Sequence, residues 1–438
     1  MPFTRSAQLL ERSRKVLAGG VSSDVRKAEL PHPLFFASGK GSRIYDVDGN
    51  EFIDYVLGQG PLLLGHSPQP VLEAVARQLQ KGLMYAAQHE AELELAELLI
   101  EVIPCAERVR FNSTGSEAVI TALRVARAYR DRTLVVKFEG QWHGWYDSLF
   151  VSTAPPPDQA GCLDEPTPVL PSRGQVRNAV DNLIILSWND LHLLKDLFAR
   201  RGHEIAAVLT EPVMCNSGSI MPQPGFLEGL RELCNRYETA LIFDEVITGF
   251  RLALGGAQEV FGVTPDLATY AKAIASGFSL SAVAGKAEFM DLISEGQVTH
   301  AGTYNSNPVV IAAGLATIEH LKNHREAIYS QLNRVGEQLR TGLQALLQTV
   351  GIPALVGGVG PVVQVSLTSQ NRMLNYRDWA RRDTASYQRI VTELAERGIR
   401  TITRGTWYLS TTHSEEDVAQ TLSIFEDALK VLKSPFRV

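Results

Sequence analysis

Two side chains of this 438-residue chain, Asp244 and Lys272, have the surroundings that covalent chemistry requires. Asp244 follows a short apolar run at 240–243, which predicts a buried strand with a carboxylate at its C-terminal end. Ligands of open α/β sheets bind at this end of the strands. Lys272 lies among small and apolar residues in Tyr-Ala-Lys-Ala-Ile-Ala. Loss of solvation favours its neutral amine, which makes such a lysine a nucleophile able to form a Schiff base.

Either residue alone also fits a structural role. A lysine in a Gly/Ala-rich loop is usually a solvated surface residue, and an Asp-Glu pair after a strand is more often a cap or an ion-pair partner. Together, the two residues suit pyridoxal phosphate. The lysine can hold its aldehyde, and a carboxylate at a strand end can keep its pyridine nitrogen protonated, so that the ring acts as an electron sink.

The stretch around these residues resembles the signature of the class III (fold type I) aminotransferases. That signature reads Asp-Glu-Val-x-Thr-Gly-Phe-Arg, then Gly-Val-x-Pro-Asp-Leu, then the lysine, and here its pieces occupy 244–251, 262–267 and Lys272. The resemblance is greatest to the branch of glutamate-1-semialdehyde aminomutase and the β-amino-acid and D-phenylglycine aminotransferases. It implies pyridoxal 5′-phosphate as the cofactor, Lys272 and Asp244 as catalytic and cofactor-binding residues, and no metal.

A turn of hydroxyl residues and glycine predicts an anion site. The strand at 109–112 runs into Ser113-Thr114-Gly115-Ser116 and an amphipathic helix. Free N–H groups, the helix dipole and the hydroxyls suit a phosphate, although an ordinary N-cap explains the pattern equally well. The family carries Ser-Gly-Thr here, so Thr114, Gly115 and Ser116 inherit the phosphate role with the two hydroxyl residues exchanged.

Three further cofactor contacts follow from the resemblance. Trp142 stands at the mouth of a strand, where relatives place an aromatic ring that stacks on the cofactor; a core tryptophan is the alternative. Asn216 occupies the position of a residue that faces the ring oxygen, and a turn asparagine is the alternative. Thr303 matches a Gly-Thr loop that reaches the phosphate of the neighbouring subunit, which implies a homodimer with shared active sites.

Two arginines are candidates for binding the substrate carboxylate, since the guanidinium fork pairs bidentately with such groups. Arg26 ends a Gly-Gly-Val-x-Ser-x-Val-Arg stretch that resembles the carboxylate-binding segment of the aminomutase relatives, and a solvated turn arginine is its alternative. Arg404 stands beside Gly405, near the position at which true mutases carry an active-site Glu. The absence of that Glu argues against the mutase and favours an external transaminase, whereas Arg404 can equally be a solvated edge residue.

The composition restricts the class of protein. The chain is 45% hydrophobic and 21% charged with a net charge of −6, which is typical of a soluble protein and gives no basic footprint for nucleic acid. No apolar run approaches the length of a membrane span. Four scattered cysteines and an N-terminus without a signal-peptide core predict reduced thiols in a cytoplasmic protein.

Alternating strand and helix patterns predict an α/β protein of the fold type I class. We expect a large cofactor-binding domain at 61–320 with a mostly parallel sheet. Residues 1–60 and 321–438 then form a smaller α+β domain from both termini, with a helix over 378–396. The Pro-rich stretch 151–181 predicts a long surface loop, and the resemblance to the aminomutase implies that this loop gates the active site.

The sequence therefore predicts a pyridoxal-phosphate-dependent aminotransferase that moves an amino group between a carboxylate-bearing α-, β- or ω-amino acid and a keto acid. Glutamate-1-semialdehyde 2,1-aminomutase is the first alternative, and an amino-acid racemase or epimerase on the same fold is the second. A non-catalytic relative that binds the cofactor for a structural purpose is the reading from a different class.

Overall fold

The computed structural model describes residues 1–433. The strands in this range are β1 Phe36–Lys40, β2 Arg43–Asp46, β3 Glu51–Asp54, β4 Arg108–Asn112, β5 Leu134–Phe138, β6 Leu183–Leu186, β7 Ile205–Thr210, β8 Ala240–Asp244, β9 Leu267–Tyr270, β10 Ser281–Gly285, β11 Ala354–Val359, β12 Val362–Leu367, β13 Ile399–Arg400 and β14 Thr406–Tyr408. The α-helices are α1 Thr4–Val16, α2 Gln69–Leu79, α3 Glu90–Val102, α4 Gly115–Arg130, α5 Leu191–Arg201, α6 Phe226–Arg236, α7 Gly256–Phe261, α8 Ala287–Ser294, α9 Pro308–Asn323, α10 Arg325–Thr349, α11 Tyr376–Ala380, α12 Thr384–Glu396 and α13 Glu415–Lys433.

These elements form two compact units. The first unit contains Met1–Pro68, Ser330–Arg372 and, among the described residues, 381–433. The second contains Gln69–Tyr329 and the short segment Met373–Ala380. The first unit thus draws on both ends of the chain, and the second takes eight residues from within the C-terminal part.

The second unit is built on a seven-stranded sheet of order β4-β10-β9-β8-β7-β5-β6. Neighbours from β6 through β9 pair in parallel, whereas β10 is antiparallel to both β9 and β4. The prediction of a mostly parallel sheet is confirmed. Because parallel strands end at the same edge, the residues that follow β5, β7, β8 and β9 lie along one side of the sheet, here called the carboxyl edge.

Continuous apolar runs explain why the central strands lie inside. Every residue of β7 and β8 is buried, which is typical of parallel strands covered on both faces. Helix α4 presents small residues four apart to this core, so it can approach the sheet closely. Among the side chains that pack together are Ala118, Ala122, Ala126, Val135, Ala207, Leu209 and Ile242.

The first unit has two smaller sheets, β1-β2-β3-β13 and β11-β12-β14. The Asp48-Gly49 turn joins β2 to β3, and Gly49 has a φ of +86°. A β-hairpin forms here, because glycine reaches positive φ without strain. The core of this unit packs residues of α10, α12 and α13 around Tyr55 and Trp407, whose ring centroids lie 5.0 Å apart.

The helix predicted over 378–396 is wrong in its first part. Helix α11 ends at Ala380, and α12 begins at Thr384. Asp383 causes the break, because its backbone is extended and its side chain accepts a hydrogen bond from the Ser386 N–H at 2.9 Å. Asp383 is therefore the N-cap of a new helix.

The long stretch 151–181, all of it described, holds no α-helix or strand, only a 3-10 turn at Arg177–Val180. The loop predicted there is confirmed. No helix within residues 1–433 has both the length and the apolarity that crossing a membrane requires.

Candidate active site

Strand β8 carries Asp244 to the carboxyl edge. The side chain is only 5% exposed, and its Oδ2 lies 2.7 Å from His143 Nδ1. The Val246 N–H donates to Oδ1 at 3.1 Å. An ionised carboxylate only accepts hydrogen bonds, so His143 Nδ1 is the donor and the ring is held in one orientation. No role was predicted for His143, although it directly follows Trp142.

Lys272 lies at the same edge, immediately after the neighbouring strand. In the β8–β9 register Asp244 pairs with Thr269, and Lys272 begins the 3-10 turn three residues later. Its flanks Ala271 and Ala273 are buried, as the apolar surroundings predicted. The lysine backbone has a φ of +47°, which residues other than glycine rarely adopt. Backbone strain of this kind tends to cluster at functional sites.

The turn before α4 meets both of these segments. A Cβ placed on Gly115 would lie 3.1 Å from Val246 Cγ2 and 3.5 Å from the Ala271 side chain. Val246 is two residues after Asp244, and Ala271 precedes Lys272. The structure therefore brings Asp244, Lys272 and the predicted phosphate turn together within one unit.

Thr114 is the N-cap of α4. Its Oγ1 accepts from the Glu117 N–H at 3.3 Å, and the Glu117 carboxylate accepts from the N–H of Thr114 at 2.8 Å, which makes a capping box. The N–H groups of Gly115 and Ser116 stand in the first turn, where a helix offers no acceptor of its own. A hydroxyl that accepts in a cap keeps its own proton to donate, so capping and anion binding are compatible here.

Glu211 joins the loops that follow β5 and β7. Its carboxylate accepts from the Trp142 N–H at 2.8 Å, from Asn216 Nδ2 at 3.0 Å and from the Asn216 N–H at 3.3 Å. Burial raises the pKa of the Glu211 carboxyl, a rise that His143 opposes and Asp244 reinforces. Glu211 had no predicted role, although it too follows a buried apolar strand, because its bond to Trp142 joins residues 69 apart in sequence.

The Trp142 side chain is 39% exposed and packs edge-to-face on Phe150, with ring centroids 5.1 Å apart. Asn216 directs its side-chain amide to Glu211. Both residues thus stand at the carboxyl edge with Asp244. Their predicted contacts with a cofactor ring remain predictions.

Thr303 stands in an exposed loop of the same unit. It lines an open cavity of about 1090 Å³ together with residues of the 84–93 stretch, Arg110 and His300. Apolar side chains surround this part of the surface: Leu83, Met84, Tyr85, Leu93 and Tyr304 are between 37% and 67% exposed. The loop that was predicted to reach a neighbouring subunit is therefore open to one.

The two candidate substrate arginines belong to the first unit. Arg26 is exposed in the 3-10 turn Asp24–Ala28. Arg404 stands between β13 and β14, and its carbonyl accepts from Gln364 Nε2 at 3.0 Å. Beside it, Gly405 has a φ of +101°, and a Cβ at that position would fall 2.2 Å from the Val365 carbonyl oxygen. This backbone accepts only glycine at 405.

Comparison with known proteins agrees with this geometry. The family model described as "Aminotransferase class-III" matches residues 25–429. Glutamate-1-semialdehyde 2,1-aminomutase 2 of Lachnoclostridium phytofermentans is 40% identical over 98% of this chain and 100% of its own length. Glutamate-1-semialdehyde 2,1-aminomutase of Methanothermobacter thermautotrophicus is 41% identical, again over 98% of this chain and all of its own.

Among solved structures, an omega-transaminase from Sphaerobacter thermophilus superposes with a TM-score of 0.91 at 36% identity, covering 99% of both chains. A glutamate-1-semialdehyde aminomutase from Pseudomonas aeruginosa gives 0.88 at 26% identity, covering 98% of this chain and 94% of its own. A β-phenylalanine aminotransferase from Variovorax paradoxus gives 0.86 at 28%, with coverages of 98% and 94%. The fold type I architecture predicted from the sequence is confirmed, and the chain belongs to the class III aminotransferase family.

Proposed function

We propose that this protein is a pyridoxal-phosphate-dependent aminotransferase that moves an amino group between a carboxylate-bearing amino acid and a keto acid. One observation carries the proposal: a buried aspartate and a lysine in a left-handed conformation end adjacent parallel strands, beside a glycine turn that opens a helix. These are the groups that hold the ring nitrogen, the aldehyde and the phosphate of this cofactor.

The residues present fit the cofactor. Position 144, beside the predicted phosphate turn, has room only for glycine, because a Cβ on Gly144 would come 2.5 Å from Ser116 Oγ. Two buried polar atoms next to Asp244, His143 Nε2 and Thr269 Oγ1, have no hydrogen-bond partner among the described residues. Buried polar atoms are rarely left unsatisfied, so both support a polar ligand at this edge.

The roles of the side chains follow from their chemistry. Bound pyridoxal phosphate supplies an aldehyde that condenses with amines and a ring that takes up the electron pair released at the substrate carbon. Asp244 holds the proton on the ring nitrogen, and His143 fixes the Asp244 carboxylate. Lys272 Nζ anchors the aldehyde and then moves the proton at the amine-bearing carbon. Thr114, Gly115 and Ser116 bind the phosphate, Trp142 and Asn216 contact the ring, and Arg26 and Arg404 are candidates for the substrate carboxylate.

Gly405 favours a transaminase over the mutase. The resemblance places the active-site Glu of true mutases near this position, and here the backbone admits no side chain. The aminomutase remains the second candidate function, because the curated relatives of about 40% identity bear that name. A racemase would use the same lysine but would return the proton to the same carbon without transferring the amino group.

We further propose a homodimer in which Thr303 of one protomer reaches the phosphate site of the other. Exposed apolar side chains around the open cavity support this arrangement, since clusters of this kind mark protein interfaces.

Absorbance of the purified protein tests the function. The wild type should show a visible cofactor band that one class of α-, β- or ω-amino acid bleaches without an acceptor. Lys272→Ala should lack the band, whereas Lys286→Ala, which changes a lysine paired with Asp266 at 2.6 Å, should keep it. A band that no amine bleaches, together with isomerisation of glutamate-1-semialdehyde, would establish the mutase instead. No band even with added cofactor would refute the proposal.

A further inference from the structure

Arg377 gathers a long loop onto the carboxyl edge. Its Nε and Nη2 donate to both oxygens of Glu139 at 2.8 and 3.0 Å. The same guanidinium donates to the carbonyl oxygens of Gly161 and Ala160, both at 2.8 Å, and of Cys162 at 3.2 Å. The planar guanidinium binds the Glu139 carboxylate bidentately and also binds three consecutive carbonyls of the loop. It therefore fixes both the position and the orientation of the loop relative to Glu139.

The short segment that carries Arg377 is itself rigidly held. Asn375 Oδ1 accepts from the N–H groups of Arg377 and Asp378 at 3.0 and 3.2 Å, and Asp378 Oδ2 accepts from the Leu374 N–H at 2.9 Å. Asn189 Nδ2 donates to the Leu374 carbonyl at 2.9 Å. These hydrogen bonds hold the backbone that carries the guanidinium, and none of them involves the loop.

Tyr376 makes a second attachment beside the first. Its hydroxyl donates to the Pro155 carbonyl at 3.1 Å, and its ring packs on Gly140, where a Cβ would approach it to 2.6 Å. Gly140 in turn donates its N–H to the Ser152 carbonyl and accepts from Ser217 Oγ, both at 2.8 Å. The loop is thus tied down at 155 and at 160–162.

Glu139, the anchor for Arg377, stands just before the segment that lines the candidate cofactor site. Its side chain is 2% exposed, and three and four residues later the chain carries Trp142 and His143, the latter bound to Asp244. Residues 155–162 are thereby held next to that segment. A loop held by one weak contact can open with each turnover, but the five hydrogen bonds that this one guanidinium donates oppose such opening.

We propose that Arg377 is a positioning residue that makes residues 155–162 a fixed wall of the active site, in place while amines enter and leave. The wall, unlike a gate, sets the shape of the amine that fits. The link to amines rests on the proposed function, whereas the pinning itself does not.

Hydrogen–deuterium exchange of the holoenzyme tests the pinning. The reporters are the N–H groups of Ala160 and Thr167, which donate within the loop to the Pro156 and Ala160 carbonyls. Arg377→Lys keeps the charge that Glu139 needs but loses the planar fork. It should exchange in this peptide at least about tenfold faster than the wild type, with a similar melting temperature. Arg377→Met removes every donor and should exchange faster still.

An exposed arginine nearby in sequence, Arg381, provides the control, and Arg381→Met should exchange like the wild type. The amino acid that bleaches the cofactor band serves as the added ligand. Adding it to the wild type should change the protection of the 155–167 peptide from exchange by less than about twofold, because a fixed wall does not close on substrate. In steady-state kinetics, Arg377→Lys should raise KM for the donor about tenfold while kcat stays within about twofold, as expected when uniform binding is lost.

Unchanged exchange in folded Arg377→Lys would overturn the pinning. Strong extra protection of the wild-type peptide when the amine binds would show a gate, and would overturn the fixed wall. If Arg377→Met does not fold, Arg377→Lys alone decides. If none of the tested amines bleaches the cofactor band, the proposed function is refuted. The exchange comparison between the wild type and Arg377→Lys still stands in that case.

Discussion

Two parts of the second unit differ in how completely the chain supplies their contacts. The closed half comprises the residues after β5, β7 and β8, where Asp244, Glu211 and His143 are buried. In it His143 binds Asp244, and the neighbouring Trp142 N–H donates to Glu211. The open half comprises residues 82–93 and 300–307, where Thr303 is exposed and lines a cavity of about 1090 Å³. In the closed half the chain itself buries the polar side chains and supplies their hydrogen-bond partners. In the open half apolar side chains are exposed to solvent.

This difference separates two tasks. Electronic control of a cofactor ring needs fixed charges in a dry setting, where electrostatic interactions are strong and buried groups must be satisfied. Binding a phosphate needs only N–H and hydroxyl donors, which a second chain can bring as well as the first. We therefore expect substitutions in the closed half to impair chemistry, and substitutions in the open half to impair assembly and cofactor affinity.

The largest effect is expected from Asp244→Asn. The amide cannot hold a proton on the ring nitrogen, and it leaves His143 without its anionic partner. Loss of one electrostatic contact that acts in the transition state costs about 3 kcal/mol, so kcat should fall by at least about 100-fold. Stopped-flow absorbance of the half-reaction with the amine donor measures this directly.

Asp266→Asn is the matched control. Asp266 is also buried, but it lies before β9, where it accepts from Arg231 at 2.9 Å and from Lys286 at 2.6 Å. Its loss should lower the melting temperature and leave the half-reaction rate within about twofold, because it stands at the other end of the strand from Lys272. Equal loss of rate in both variants would show that the Asp244 effect is merely structural.

The sequence predicted most of the scaffold of the closed half, because buried parallel strands are continuous apolar runs. The strand predicted at 109–112 falls within β4, and the apolar run at 240–243 falls within β8. Asp244 and Lys272 stood out because charge at the end of an apolar run, or among alanines, is a local signal.

The polar contacts between loops were not predictable in this way. His143, Glu211 and Arg377 acquire their roles from partners on other strands, and Arg377 meets Glu139 from 238 residues away. No periodic pattern marks such a pair. The break before α12 was missed for another reason: the capping action of Asp383 depends on its backbone conformation, which the helical pattern of its neighbours concealed.

A hybrid dimer sharpens the comparison on the open half. Thr303→Ala alone should weaken cofactor binding about tenfold by removing one hydrogen bond to a charged group. If sites are shared, pairing a Lys272→Ala chain with a Thr303→Ala chain gives one site with both defects and one site with neither. Differently tagged chains, co-expressed and purified as the hybrid, should then bind cofactor in half their sites with wild-type affinity.

The Lys272→Ala homodimer and the Thr303→Ala homodimer are the controls, because each shows the cofactor affinity that results from one defect alone. Sites built within one chain would give a hybrid with one lysine-less site and one weakened site, so no wild-type affinity would appear. Leu93→Glu extends the test, because a charge on this 61% exposed side chain should dissociate the dimer in size-exclusion chromatography. Val16→Glu, at an 80% exposed position of α1, should leave it intact.

Lys137 lies in β5, just before the closed half, and its substitution is expected to affect stability and not chemistry. This side chain is fully buried in β5, and its Nζ donates to the carbonyls of Gln141 and Val151. Burial lowers the pKa of Lys137 from 10.5 to about 7, and Glu211 and Glu139 only partly offset that fall. Between these two values the unfolded chain binds more protons than the native protein, so Lys137 makes the free energy of unfolding rise with pH.

The slope has a limit of about 1.4 kcal/mol per pH unit, since one proton is involved. Urea unfolding at pH 6, 7, 8 and 9 should show the wild type gaining stability relative to Lys137→Met above pH 7, and running parallel to it below. Lys322→Met, which changes a partly exposed surface lysine, should stay parallel to the wild type throughout. Parallel curves for Lys137→Met over the whole range would mean that the buried amine keeps its proton, because the surrounding carbonyls and carboxylates stabilise the charge more than burial opposes it.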